Sequence, residues 1–203
     1  MEISHDLDGH LDLLVEMEIA AAEAYLRFVY DDWEHARRIQ RFLGEKGLLE
    51  SSAPWGRVMM HEGHAIGAVS GIPGAELRKL RMRAAFALAK EPALRPDPPT
   101  QRRIKLAADA LVAARDDDFY SSKLAVTERA RGTGAGPALM DYVTEEARRG
   151  GFARIVGEVS AANERMLHVM CDKVGWDRIG EGSATCPDSG RSVTFVHVGR
   201  LFR

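Results

Sequence analysis

The run FYSSKLAVTERARGTGAGPALMDYVTEEARRGGFARIVGEVS, Phe119 to Ser160, decides how this chain folds. Phe119 to Val126 reads as a strand. Gly132, Gly134 and Gly136 alternate in the turn after it. A helix follows from Gly134 to Arg149, with Leu139, Val143 and Ala147 four apart on one face, and Gly150-Gly151 stops it. Phe152 to Ser160 reads as a second buried strand. Strand, helix and strand in this order predict a right-handed parallel crossover. A strand that enters a glycine-rich turn and then a helix also builds an anion site. Glycine lets the backbone approach a phosphate closely, and the first free N–H groups of the helix point at it.

Two phosphate fingerprints fail on this turn. A Walker A loop needs Lys followed by Ser or Thr after the glycines, and here Pro137 and Ala138 follow Gly136. A dinucleotide fold needs GxGxxG, whereas GTGAGP has the spacing GxGxG. What the turn does contain is Arg/Gln-x-x-Gly-x-Gly, carried by Arg131, Gly134 and Gly136.

Outward from this unit the patterns are coarser. Leu14, Met17, Ala21 and Ala24 keep a helical spacing, with apolar content continuing to Val29. Asp31 and Asp32 can open a second helix with a stripe of Trp33, Ala36, Ile39, Phe42 and Leu43. Residues 1–10 read as irregular chain, with Ile3 a candidate for a short edge strand. Arg57 to Glu62 and His64 to Ile72 form two strands linked at Glu62-Gly63. A helical insertion occupies about 75–116. Its first helix carries Leu77, Leu80, Ala84 and Leu88, with Arg78, Lys79, Arg81 and Arg83 read as a solvated basic face. Its second helix runs from about Gln101 to Arg115. Near the end, Asn163 opens a short helix to Lys173, and two strands follow, one interrupted, from Trp176 to Gly180 and again from Ser183 to Cys186, the other from Arg191 to Phe202. The order predicts a mixed sheet with helices on both faces.

The chain has 203 residues, which fits one domain with an insertion. It is 45% hydrophobic and 29% charged, with a formal net charge of −2, so no global charge favours nucleic acid or anionic membrane. Two cysteines, Cys171 and Cys186, make no disulfide framework, and the scattered histidines have no metal-ligand spacing. The acidic N-terminus does not read as a secretory signal, and no apolar run is long enough to span a bilayer. A soluble cytoplasmic protein without a membrane, metal or nucleic-acid partner is the expectation.

Phe119 to Gly182 resembles the Gcn5-related N-acetyltransferase (GNAT) superfamily of acyl-CoA-dependent acyltransferases. The similar parts are the strand, the Arg131–Gly136 loop, its helix, the next strand, and the tail VMCDKVGWDRIGEG. The resemblance implies an α/β (α+β) fold: a single mixed, mostly antiparallel sheet over residues 1–203, in which a splayed parallel strand pair forms the CoA cleft. It implies that the backbone of Leu124, Ala125 and Val126 pairs with the pantetheine arm. It implies that Arg131, Gly132, Thr133, Gly134, Ala135 and Gly136 cradle the pyrophosphate, and that Asn163 approaches the arm while capping its helix. The co-substrate implied is acetyl-CoA, and the reaction is acyl transfer to a primary amine by direct attack in a ternary complex. The alternative is a non-catalytic CoA-binding or regulatory domain.

The catalytic residues are less legible. The family often places a tyrosine five residues before the aromatic of a Gly-aromatic pair. Here the pair is Gly175-Trp176, and that position is Cys171, whose thiol is a candidate proton donor to the departing sulfur. The spacing from Asn163 to Trp176 is one residue longer than a common form of the pattern. Glu158, on the second strand of the crossover, is the carboxylate placed to deprotonate an ammonium. Ser121, Ser122, His61 and His168 are further cleft candidates, with Ser121 and Ser122 on opposite faces of their strand. The acceptor amine belongs to a small molecule or a peptide that the sequence does not name. Pairing of two copies through edges or helices is compatible with such a fold.

Overall fold

The structure is a computed structural model that describes residues 1–202. Seven strands form one sheet: β1 (Glu2–Ser4), β2 (Gly56–His61), β3 (His64–Pro73), β4 (Asp118–Val126), β5 (Arg154–Ser160), β6 (Asp177–Thr185) and β7 (Ser192–Leu201). Their spatial order is β1-β2-β3-β4-β5-β7-β6, and every neighbouring pair is antiparallel except β4 with β5. The mixed sheet expected from the element order is therefore present. The segment 1–10, read as mostly irregular, does contribute the edge strand β1, whose Ile3 pairs with Met59.

One face of the sheet carries α1 (Leu11–Ala21), α2 (Glu23–Val29), α3 (Trp33–Glu45), α4 (Gly74–Ala89) and α5 (Pro98–Ala110). The other carries α6 (Ala135–Arg149) and α7 (Glu164–Leu167), which continues as π-helical turns over His168–Lys173. Alternation along β4 sorts the two cores. Phe119 joins Leu139, Val143 and Ala147 of α6, whereas Tyr120 joins Ile39, Leu77 and Leu80 of the opposite layer. Each of the buried aliphatic side chains in these layers contributes roughly 1.5–3 kcal/mol of transfer free energy.

Local chemistry explains several boundaries. Asp32 caps α3 by accepting from Glu34 N at 2.9 Å, and Asp97 caps α5 by accepting from Thr100 N at 2.8 Å, with Pro98 following at the position where a missing N–H costs nothing. Glu62 (φ 50°) and Gly63 (φ 75°) both take left-handed backbone, the geometry of a two-residue hairpin, and His61 pairs with His64 across it. The second inserted helix ends at Ala110, not at Arg115 as its periodicity predicts. Docking stops it: the Ala110 carbonyl meets the His197 ring Nε2 at 2.9 Å, and Leu111 turns extended. The last hairpin has a single long β6 where sequence suggested an interrupted strand. Among the described residues, no helix is long and apolar enough to cross a membrane.

Candidate functional site

β4 and β5 pair over only three rungs, Asp118 with Arg154, Phe119 with Ile155 and Tyr120 with Val156, and then separate. Two features mark the point where they part. The β3–β4 register slips between Ser70 and Gly71, which makes Ser122 the extra residue of a β-bulge. Gly157 then passes so close to β4 that a Cβ there would lie 2.9 Å from the Ser121 carbonyl oxygen. Beyond this point the edge of β4 that faces β5, along Leu124, Ala125 and Val126, has no strand partner. Unpaired strand edges bind extended chains through backbone hydrogen bonds.

The end of β4 leads through a short 3-10 turn, Glu128–Ala130, into the glycine loop and α6. Gly132 (φ 84°) and Gly134 (φ 90°) hold left-handed backbone that only glycine adopts cheaply. Gly136 has no such need, and a Cβ built on it, on Gly132 or on Gly134 meets no atom within 4 Å. A glycine early in a helix, with neither backbone strain nor packing to explain it, keeps space open beside the helix N-terminus. An anion fits there, against the N–H groups of Ala135 and Gly136. Within the loop, Arg131 N donates to the Glu128 carbonyl at 3.1 Å and Thr133 N to the Ala130 carbonyl at 3.3 Å. The Thr133 hydroxyl also donates to the Ala130 carbonyl, at 2.8 Å, so it is spent on shaping the turn. The Arg131 guanidinium lies exposed, 3.6 Å from Glu128.

On the opposite face of β4 lies a network that sequence reasoning missed almost entirely. The Tyr120 phenol donates to Oε1 of Glu158. Arg81, read as part of a solvated basic face, instead turns inward: its Nη2 donates to the Tyr120 oxygen at 3.1 Å and its Nε to Glu50 at 2.6 Å. Its guanidinium also sits 5.1 Å from the centre of the Tyr120 ring. Lys123 donates to Glu50 at 2.8 Å and lies 3.7 Å from Glu18. Ser122 completes the shell of Glu50, and Ser51 donates to Glu18 at 2.6 Å through its hydroxyl. Three carboxylates, Glu18, Glu50 and Glu158, thus face two cations, Arg81 and Lys123.

That imbalance is borne unequally. Burial pushes Glu18 and Glu158 up from the ordinary carboxylate range. Glu50 is desolvated too, but Arg81 and Lys123 outweigh burial and hold it well below that range. Burial, reinforced by Glu158, raises Tyr120, which keeps its proton. One oxygen, Oε2 of Glu158, is buried and has no hydrogen-bond partner. Tyr25 of α2 faces the same network: burial raises its phenol, and the charges of Arg81, Glu50 and Lys123 act on it.

The remaining candidates separate. Asn163 caps α7, accepting from Met166 N at 3.1 Å, which leaves its side-chain amide N–H groups to reach the cleft. Cys171 is half-buried against the core on the α6 face, away from Glu158. The extra residue between Asn163 and Trp176 is absorbed by the π-helical turns, in which Val174 N donates to the Val169 carbonyl five residues back. Ser121 is buried against β5, while Ser122 reaches Glu50, so the two do face opposite ways. His61 sits exposed in its hairpin, and His168 pairs with Asp172 at 2.7 Å on the surface. Among the described residues, no group of three or more His, Cys, Asp or Glu could hold a metal ion.

Beside this network a cleft of about 490 Å³ opens between α2, the end of β5 and the start of β7. Ala24, Phe28, Ser160 and Val193 line its floor, and Arg27 and Arg191 stand at its rim.

Known proteins share this fold. The sequence model described as the acetyltransferase (GNAT) family matches residues 17–176. The fold is similar to that of an N-acetyltransferase from Staphylococcus aureus Mu50, with a TM-score of 0.69 at 16% identity over 98% of this chain and 100% of that one. It is similar to another acetyltransferase structure with a TM-score of 0.67 at 15% identity, over the whole of both chains. A putative acetyltransferase from Salmonella typhimurium, solved with its cofactor acetyl-CoA, has a TM-score of 0.59 at 14% identity over 100% of this chain and 94% of that one. At such identities the likeness concerns the fold. No curated protein sequence matches the chain.

Proposed function

The chain belongs to the acetyltransferase (GNAT) family, whose acetyl donor is acetyl-CoA, and from that premise we propose that it acetylates the primary amine of an acceptor by direct attack in a ternary complex. The donor's pantetheine arm runs along the free edge of Leu124, Ala125 and Val126. Its pyrophosphate rests on the loop from Arg131 to Gly136, chiefly on the free N–H groups of Ala135 and Gly136. The thioester then lies where β4 and β5 part, between Ser122 and Gly157. Asn163 borders the same arm.

Glu158 is the base in this reading. The observation that carries it is the orphaned oxygen Oε2, buried at the point of strand separation. An unpaired buried carboxylate oxygen costs stability unless something completes it. An ammonium does so, and the raised affinity of Glu158 for a proton suits it to take one. Tyr120 and Arg81 hold the carboxylate in place through Oε1. The freed amine attacks the thioester carbon, a C–N bond forms, the C–S bond breaks, and the new amide nitrogen gives up its surplus proton to solvent. The departing sulfur leaves as a thiolate, whose conjugate acid has a pKa near 8.5, so neutral solvent can protonate it. No acid from the protein is then required, and Cys171 has a packing role.

Release of free CoA thiol from acetyl-CoA, measured across a panel of primary amines, tests the proposal. Tight CoA binding with no thiol release for any amine favours a binding domain instead.

A further inference from the structure

We infer that the acceptor is an amine whose own molecule carries an anionic group, a carboxylate, roughly 10 Å from the reactive nitrogen. This deepens the proposed acetyl transfer and rests on it.

The inference comes from two opposite charge imbalances on one path. At the inner end, Glu18, Glu50 and Glu158 exceed Arg81 and Lys123 by one negative charge when all are ionised. At the cleft the excess reverses. Arg27 pairs with Glu23 at 2.7 Å, while Arg103 and Arg191 share Asp31 at 2.8 and 2.5 Å. Three guanidiniums therefore meet two carboxylates, and one positive charge is left beside the cleft. Arg103 is buried and its Nε also donates to the Val29 carbonyl, so the surplus falls on the two rim arginines.

Both rim arginines keep donors for a ligand. Arg27 engages Glu23 through Nε alone, and its guanidinium carbon lies over the Trp33 ring, 4.7 Å from the ring centre. Its two terminal amino groups have no hydrogen-bond partner among the described residues. A guanidinium fixed this way presents a fork suited to a carboxylate. Arg191 contacts Asp31 through Nη2, and its Nη1 makes only a long 3.5 Å bond to the Arg27 carbonyl.

The two charge centres lie along one route. Ser160 of the cleft is two residues beyond Glu158 in β5, about 7 Å along an extended strand. On α2, Ala24 and Arg27 line the cleft, and Tyr25, turned about 100° from Ala24 around the same helix, faces the inner network. An acceptor lying here sets its ammonium on Glu158 and its anion between Arg27 and Arg191. Apolar atoms of Phe28 and Val193 line the cleft it occupies. A short peptide with an acidic side chain and a linear ω-amino acid share this chemistry.

The test measures kcat/KM for thiol release with matched acceptor pairs. One set is short peptides that differ only by glutamate or glutamine near the amino end. The other is ω-amino acids and their amides of matched chain length. The carboxylate member of at least one set is expected to win by about tenfold or more, with a KM that rises with salt as the amide's does not. The set that shows the preference identifies the source. In the R27Q/R191Q double variant the ratio should fall below about threefold, and a ratio is unaffected by how much variant enzyme folds. Equal rates on both members of every pair would overturn the inference while leaving acetyl transfer standing, as would a preference that survives in the double variant. Thiol release with no member of either set would overturn acetyl transfer and this inference with it.

Discussion

The Tyr120 phenol donates to the Glu158 carboxylate immediately beyond the last paired rung of β4 and β5. Tyr120 belongs to that rung, and Glu158 is the second residue past it on the neighbouring strand. The hydrogen bond therefore ties together the two strands at the point where they part, and it occupies one carboxylate oxygen while the other stays free. Removing the carboxylate should isolate its chemical role. Glu158→Gln is expected to lower kcat by about 10²- to 10⁴-fold, with CoA affinity measured by calorimetry unchanged.

The pH dependence follows from the same contact. A base works when deprotonated, and burial raises Glu158, so wild-type kcat/KM should climb with pH through a value above the ordinary carboxylate range. The Tyr120 hydrogen bond acts against burial and lowers Glu158. Tyr120→Phe should therefore move that rise to higher pH, and Glu158→Gln should abolish it. A pH–rate profile of the three proteins distinguishes this from a purely structural role of the phenol.

Lys123 is mostly buried between Glu50 and Glu18, with a side chain 17% exposed. Lys123→Met leaves both carboxylates short of a cation and should cost about 3–5 kcal/mol of unfolding free energy near neutral pH. Glu50 is held below its ordinary range in the wild type, so its contribution is present above that range and is lost as pH falls. The gap between variant and wild type in chemical denaturation should accordingly narrow in acid, where the unpaired carboxylates take up protons.

The loop glycines should separate by role. Gly134 needs its left-handed backbone, so Gly134→Ala is expected to cost about 1–2 kcal/mol in stability. Gly136 has ordinary helical backbone and an open Cβ direction, so Gly136→Ala should change stability by less than about 0.5 kcal/mol. If that space belongs to the pyrophosphate, Gly136→Ala still weakens CoA binding, which calorimetry at fixed salt would read. Unchanged CoA affinity would remove the pyrophosphate from this position.

Gly157 sets how closely the strands approach before they diverge. A methyl there would meet the Ser121 carbonyl at 2.9 Å, and backbone cannot swing aside as a long side chain can. Gly157→Ala should cost about 1–3 kcal/mol in stability and shift the thioester relative to Glu158. Thermal unfolding and single-turnover acetylation would show both effects, whereas Cys171→Ala should leave turnover within about threefold.

Much of the fold was legible because its elements are written in local pattern. The spacing of Leu139, Val143 and Ala147, the alternation in Phe119 to Val126 and the paired glycines at 150 and 151 each act within a few residues. The element order then restricts how the strands can be joined. The glycine loop was legible for the same reason, since a glycine turn between a strand and a helix is contiguous. Arg81 shows where this ends. In sequence it is one of several basic residues on an amphipathic helix; lying four residues after Leu77 and three before Ala84 it shares their apolar face, unlike Arg78 and Arg83, but its partners Glu50 and Tyr120 are far off in the chain. The end of α5 at Ala110 is equally hidden, because His197, which meets its last carbonyl, lies far along the chain.

By itself, then, the sequence determined the strand–helix–strand core, the glycine loop and the family to which they belong. Tertiary structure alone decided that Glu18, Glu50, Arg81, Tyr120, Lys123 and Glu158 converge on one face of β4, and that Arg27 and Arg191 flank the cleft beside them. The physical reason is range. Periodicity and turn chemistry are set by neighbours along the chain, whereas a buried charge network is set by which distant elements the sheet brings within about 4 Å, and only there can burial raise one carboxylate while adjacent cations lower another.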